Sequence, residues 1–328
     1  MTMRYAYFPG CSADSTGISF TLSAGYVASH IGMELAEIPD WSCCGASAAR
    51  VTDATLAAAL PARSLAIAEK MDPNLTVATP CAGCYNALKS TVHYARESEQ
   101  NRQYLEELIE MPYAATSDVY SFLEIMALPE NKEALAAALT SSQGSLEGLK
   151  VACYYGCTLL RPAEVCRFDD VENPQSMDEL LRIAGADPVR WAFKSECCGA
   201  SHHICEPKAA RVLVERIFEN AAYNGAQALA TACPLCNLSL DMREKEINAK
   251  RRAAGKQPFD LPVYYFTELL GLALGGQPKQ LGMDRHFWPT AKTVQTVQTA
   301  HAAQAAQAAQ AAQAAREQET DEAREVVA

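Results

Sequence analysis

Ten of the thirteen cysteines in this 328-residue chain follow one pattern used twice. The first set is Cys11, the adjacent pair Cys43 and Cys44, and the Cys-x-x-Cys of Cys81 and Cys84. The second is Cys157, the pair Cys197 and Cys198, and the Cys-x-x-Cys of Cys233 and Cys236. In the first set 31 residues separate Cys11 from the pair and 36 separate the pair from Cys81; in the second the gaps are 39 and 34. Thiolates ligate soft metals and exchange electrons, so five of them at repeated spacing point to metal or redox chemistry.

Each simpler use of the thiols leaves something unexplained. A disulfide between adjacent cysteines is strained, and a disulfide framework is out of place in a reducing compartment. A thioredoxin-type pair at Cys81 and Cys84 gives no work to Cys11, Cys43 and Cys44. Structural zinc wants four tetrahedral ligands, whereas each set offers five, two of them on consecutive residues. A polynuclear iron–sulfur cluster accommodates the adjacent pair, because neighbouring cysteines can bind different irons. Five thiolates exceed the needs of a cubane four-iron cluster, which implies an unusual shape. On the residues alone, a zinc-stabilised binding scaffold and a redox cluster protein both stand.

Other residues near these sets carry chemistry of their own. If Cys81 and Cys84, and Cys233 and Cys236, open helices, the helix dipoles favour their thiolates. Gly45 and Gly199 follow the two adjacent pairs and permit close backbone approach or a positive φ. His202 and His203 titrate near neutrality, suiting them to donate a proton to a departing thiolate or to bond a cluster sulfur; the competing reading is two structural histidines. Arg161, in "LLRP", suits an anionic substrate group or an ordinary ion pair. Of the three remaining cysteines, Cys153 reads as a small buried hydrophobe in a strand and Cys205 as a candidate auxiliary group, while Cys166 has no assigned role.

The elements that position these residues also repeat. "YAYFPGC" is matched by "VACYYGC", "CCGAS" by "CCGAS", "ATPCAGCYNAL" by "TACPLCNLSL", and "VYSFLEIMAL" by "VYYFTELLGLAL", all in the same order. Short apolar runs alternate with helical patterns, as in parallel α/β structure. Residues 4–8, 75–79, 150–155 and 227–231 read as strands. Val189, Trp191 and Phe193 alternate with polar or small residues as a half-buried strand does. Ser15 reads as the cap of a helix with an apolar side of Ile18, Leu22, Val27 and Ile31, ending near Gly32. Pro207 opens a helix whose stripe is Ala210, Leu213, Val214, Ile217, Phe218 and Ala221. The fold class expected is α/β, with two pseudo-symmetric repeats, each a small parallel sheet flanked by helices. The first repeat with its connecting helices spans 1–148 and the second 149–290. An Ala/Gln-rich and then acidic tail spans 291–328; its period of three makes no fixed apolar seam, so it reads as a solvated helix or a disordered segment.

Whole-chain properties narrow the function classes. A net charge of -11 argues against nucleic-acid binding, which needs a basic surface. The longest apolar stretch, "VYYFTELLGLALGG", is shorter than the ~20 residues that span a bilayer, and the N-terminus does not read as a signal peptide. A cytoplasmic location is expected. No Gly-x-Gly-x-x-Gly, Walker A or ferredoxin run occurs, so neither a flavin nor a nucleotide site is expected in this chain and electrons pass through partners.

The motifs "FPGC", "YYGCTLLRP", "CCGAS", "PCAGC" and "CPLC", over residues 4 to about 275, resemble the duplicated Cys-Cys-Gly domain found in the B-type subunit of heterodisulfide reductases. The resemblance implies a noncubane four-iron four-sulfur cluster in each repeat, held by the ten cysteines, with the two clusters facing one another across the interface. It implies a disulfide split or formed between them, one electron from each side, in thiol or sulfur-carrier redox chemistry. It also implies a ferredoxin-like iron–sulfur subunit and a flavin-bearing subunit as partners, in anaerobic thiol metabolism or in a heterodisulfide reductase-like complex of bacterial sulfur oxidation. The unequal gaps of the two repeats leave open whether both clusters are noncubane. A second member of the same domain family, the electron-transfer subunit of a lactate- or glycolate-oxidising flavoprotein complex, is the alternative.

Overall fold

A computed structural model describes residues 3–142 and 144–288, together with 290, 291, 293–295, 297 and 299. Most of the tail expected over 291–328 therefore lies outside the described residues. Of its first turns, Thr293 and Val297 are buried.

The first repeat runs β1 (Met3–Tyr7), α1 (Ile18–His30), β2 (Met33–Glu37), α2 (Ala48–Thr52), α3 (Ala54–Met71), β3 (Val77–Thr79), α4 (Ala82–Glu97), α5 (Glu99–Ile109), β4 (Val119–Ser121), α6 (Phe122–Met126) and α7 (Pro129–Ser142). The second runs β5 (Lys150–Tyr154), α8 (Ser176–Ile183), β6 (Asp187–Pro188), α9 (Pro207–Tyr223), β7 (Ala228–Thr231), α10 (Pro234–Ala253), β8 (Val263–Tyr265) and α11 (Phe266–Ala273). Each repeat builds one four-stranded sheet, ordered β2-β1-β3-β4 and β6-β5-β7-β8, with every pairing parallel. Two parallel sheets with the same order are what the duplicated sequence pattern anticipates. Parallel strands are buried on both faces by their crossover helices, and β3 and β7 are accordingly buried throughout.

Three local expectations are corrected. Ser15 is not the helix cap: α1 begins after Gly17, and the Ser15 hydroxyl turns back toward the carbonyls of Cys11 and Ser12, closing the loop behind Cys11. The face that α1 buries is Ser19, Phe20, Ser23, Ala24, Val27 and Ala28, while Leu22 is exposed. The reason is the partner: α1 lies on α11 of the other repeat, with Ser23 Oγ 2.6 Å from Thr267 Oγ1. Small hydroxyl residues let the two helices approach closely. Third, Val189 to Phe193 is not a strand. The ladder ends when Val189 N–H donates to Val151 O; beyond it the Trp191 indole, not a backbone amide, donates to Cys153 O. The alternation of buried Val189 and Trp191 with exposed Arg190 and Ala192 survives without the ladder.

Helix α9 starts at Pro207 as expected and buries Ala210, Val214, Ile217, Phe218 and Ala221, with Leu213 at its margin. The repeats join through α1 on α11, and through α8, the counterpart of α1, on α6 and α7. At the centre of this contact Phe20 stacks on Tyr265 (centroids 4.6 Å) and meets Phe122 and Phe266 edge-on.

Candidate metal centre

In an open parallel sheet, the crevice beyond the carboxyl ends of the strands is where loops converge to bind. Every cysteine of the two sets lies there. Cys11 follows β1, Cys43 and Cys44 follow β2, and Cys81 and Cys84 follow β3; Cys157, Cys197, Cys198, Cys233 and Cys236 follow β5, β6 and β7 in the same way. The sequence spacing is therefore the spacing of strand ends.

Exposure divides each set identically. Cys44, Cys81 and Cys84 are buried, as are Cys198, Cys233 and Cys236, while Cys11, Cys43, Cys157 and Cys197 are exposed or half-buried. The buried six form two matching groups, each with one close sulfur pair. Cys44 and Cys84 Sγ are 3.3 Å apart, and Cys198 and Cys236 Sγ 3.5 Å. Cys84 neighbours Cys81, Cys236 neighbours Cys233, and the thiols of Cys81 and Cys233 interact across the repeat boundary. Outside these groups, Cys11 lies beside Cys43 and Cys157 beside Cys197. Among the described residues no three metal-ligating side chains converge on a single-ion position.

The backbone around the sulfurs is shaped by the same logic. Cys81 caps α4 and Cys233 caps α10, so two helix N-termini point at the junction and favour negative charge there. Contact with Cys236 and Cys81, and with the amides of Cys236 and Ala82, holds the Cys233 thiol well below its usual range. Its neighbour Cys81 is pushed well up, first by Cys233 and then by burial, because two thiols in contact do not both ionise at low cost. Cys157 is lowered to about 6, chiefly by hydrogen bonding from Cys197, and Cys44 to about 7 by Cys84.

Gly45 and Gly199 both adopt positive φ, and their amides donate toward Cys43 and Cys197 Sγ at 3.5 and 3.3 Å. A Cβ at either would strike its own following helix, at Ala49 or Ala210. The glycines that admit the sulfurs are Gly10 and Gly156, which sequence reasoning passed over although they stand inside "FPGC" and "YYGC". Both have positive φ, and a Cβ would lie 2.9 Å from Cys84 Sγ and 3.0 Å from Cys236 Sγ. Paired soft donors, amide N–H groups aimed at sulfur, helix N-termini and a glycine cradle beside each Cys-x-x-Cys fit a sulfur-rich polynuclear group.

Two cavities open on the sets. One of about 370 Å3 is lined by Cys44, Arg50 and the α3–α5 surface, and one of about 710 Å3 by Arg50, Asn86, Cys157, Thr158 and Arg161. Arg50 belongs to both. It donates to Asn86 Oδ1 (3.1 Å), and Asn86 Nδ2 donates to the Arg161 carbonyl (2.8 Å), tying the repeats together. The longer first gap of the second repeat is the loop 158–175, which carries Arg161 onto the first repeat. Arg161 reaches the cavity but pairs with Glu172 at 2.9 Å. His202 and His203 line neither cavity. His203 Nδ1 lies 2.8 Å from Arg243 Nη2, and burial and that guanidinium lower its pKa. Cys153 is buried in β5, Cys205 is exposed, and Cys166 is buried beside Asn86 Nδ2 (3.6 Å).

Two parallel α/β units, each presenting five thiols beyond its strand ends, define a duplicated cysteine-rich protein. The family described as "Cysteine-rich domain" (CCG) matches residues 5–89 and 151–241, and the chain belongs to it, carrying the domain twice. The "8-methylmenaquinol:fumarate reductase membrane anchor subunit" of Wolinella succinogenes is 33% identical over 87% of this chain and 97% of its own length. The B-type subunit of the ferredoxin:CoB-CoM heterodisulfide reductase of Methanosarcina mazei is 26% identical over 86% and 93%. A protein of Archaeoglobus profundus described as similar to the same heterodisulfide reductase component is 24% identical over 85% and 93%. A solved structure, of a hypothetical protein from Helicobacter pylori, shares the fold at a TM-score of 0.63 and 9% identity, over 88% of this chain and 52% of that one. These relatives support an iron–sulfur redox subunit of a multisubunit reductase. No helix among the described residues is long and apolar enough to cross a membrane.

Proposed function

We propose that the chain is the disulfide-reducing iron–sulfur subunit of a heterodisulfide reductase-like complex. Its ten set cysteines would hold two four-iron four-sulfur clusters of noncubane type, one per repeat. The observation that carries this reading is the matching burial of six set cysteines, with Cys44 Sγ 3.3 Å from Cys84 Sγ, Cys198 Sγ 3.5 Å from Cys236 Sγ, and Cys81 and Cys233 capping equivalent helices. Clusters held by these cysteines would supply two electrons, one from each repeat, which with two protons from water would convert a disulfide into two thiols.

The chain's own residues do the rest. The buried thiols and the Phe20–Tyr265 stack keep water from the junction, while Cys44 and Cys157 line the two cavities where substrate enters. Arg50, shared by both cavities, and Arg161 present cations to an anionic group on the substrate. Asn86 locks the Arg161 loop to α4 and fixes the distance between the repeats. With no flavin or nucleotide motif in the chain, a flavin-bearing subunit and a ferredoxin-like subunit deliver the electrons, in the cytoplasm.

A second reading is favoured by the 33% identity to a fumarate reductase subunit: the clusters pass electrons within a fumarate reductase-type complex and split no disulfide. Chemically reduced, cluster-loaded protein offered a panel of disulfides separates the two. Stoichiometric thiol release supports the first reading; no release, with rapid electron exchange to a flavoprotein partner, supports the second.

A further inference from the structure

The hydroxyl of Tyr265 is buried without a partner among the described residues. Tyr265 ends β8, is 1% exposed, and is held from both repeats by its stack on Phe20. Leaving a hydroxyl unsatisfied in a protein interior costs about 1–3 kcal/mol, so a ring placed this carefully implies a partner that the polypeptide alone does not provide.

The surroundings narrow what that partner is. Tyr265 is in register with Thr231, two residues before Cys233. Cys233 and Cys81, the two thiols that meet across the repeat boundary, are both within its electrostatic reach. The nearest carboxylate, Glu268, is already engaged: it accepts from Tyr265 N–H at 2.8 Å and contacts His286 Nε2 at 2.9 and 3.0 Å. The equivalent residue of the first repeat is Ser121, whose short hydroxyl is used locally, accepting from Glu124 N–H at 3.0 Å. At this one pair of equivalent positions, the second repeat thus carries a long free donor and the first a short hydroxyl that is already engaged.

We propose that Tyr265 Oη–H donates a hydrogen bond to a sulfur at the Cys81–Cys233 junction of the assembled centre, which makes it a positioning residue that renders the two centres inequivalent. The inference rests on the iron–sulfur reading above. A donor to sulfur stabilises the more negative, reduced state, so the centre that receives the bond has the higher potential.

Tyr265→Phe in the full chain tests this. In the metal-free protein the variant has an unchanged or higher Tm, because it removes an unpaired hydroxyl. In the cluster-loaded protein, with iron content unchanged, one paramagnetic signal shifts to lower potential by about a tenfold change in its oxidised-to-reduced ratio, about 59 mV for one electron. Ser121→Ala leaves both signals in place. If both signals ignore Tyr265→Phe, or if the metal-free variant loses stability, the hydroxyl has another role and the proposal falls alone. A wild-type chain that takes up no iron and sulfide sinks this proposal and the iron–sulfur reading together.

Discussion

Cys81 and Cys233 cap equivalent helices of different repeats, and their thiols interact across the boundary between them. The backbone N–H of Ala82 in the first repeat also serves Cys233 in the second. The two sets therefore influence each other electrostatically at this boundary, which makes their substitutions distinguishable. Cys44→Ser should abolish or alter one centre's paramagnetic signal, and Cys198→Ser the other's. Cys81→Ser should abolish the first and also perturb the second. Low-temperature paramagnetic spectra of the three variants check this, and identical spectra for Cys44→Ser and Cys81→Ser would remove the junction from the account.

The glycine cradles give a second prediction. Gly10→Ala sets a Cβ 2.9 Å from Cys84 Sγ, and Gly156→Ala one 3.0 Å from Cys236 Sγ, each at a positive φ. Each substitution should cost more than about 1 kcal/mol in the metal-free chain and lower iron retention toward half, by loss from its own repeat. Iron analysis with chemical denaturation measures both. Full iron in either variant would show that the cradle does not shape the site.

Lys89 and Asp241 each stand five residues after the last cysteine of their set, and the swap of charge has a structural consequence. Lys89 pairs with buried Glu124 at 3.2 Å. Asp241 cannot do so with the equivalent Glu268, and His286 inserts between them, at 3.1 Å from Asp241 and 2.9 Å from Glu268. Burial works against the charged ring, but the two carboxylates outweigh it and raise its pKa to about 10. The folded pKa lies above the unfolded 6.5, so the stabilisation is complete below pH 6.5 and lost as pH rises toward 10. His286→Ala should cost about 3–5 kcal/mol at about pH 6, and less at about pH 10. Urea unfolding of the metal-free chain at the two pH values tests it; a pH-independent deficit would assign His286 to packing alone.

Glu244 behaves in the opposite sense. It is fully buried in α10, its Oε2 has no partner among the described residues, and burial is the main cause that pushes its pKa up to about 9. Ionisation in the unfolded chain begins near 4.5, so this group withdraws stability progressively as pH rises from 4.5 to 9. Glu244→Gln should melt with wild type in acid and above it at about pH 8. A lower Tm for the variant at about pH 8 would mean that the carboxylate has a partner worth keeping.

Much of this architecture was legible in the sequence, because duplication and strand-to-cysteine spacing are local patterns. Strands before Cys11, Cys81, Cys157 and Cys233, and the stripe of α9, follow from periodicity. What the sequence hid depends on contacts between distant residues. Leu22 reads as core by its type, yet α1 turns Ser19 and Ser23 inward because the neighbouring helix demands closeness. Trp191 keeps a strand's alternation while its indole replaces the ladder. Gly10 and Gly156 stand next to cysteines in sequence but serve sulfurs more than 70 residues away. His286, beyond the last repeated motif, becomes interpretable only once Asp241 and Glu268 are seen to face each other. His202 and His203 show the reverse case: proximity to Cys198 in sequence did not bring them to the cavities.

The most direct test is elemental. Purified without oxygen, the chain should be brown and contain about eight iron and about eight acid-labile sulfide atoms, as two four-iron four-sulfur centres require. Stoichiometric zinc with no labile sulfide would contradict the account.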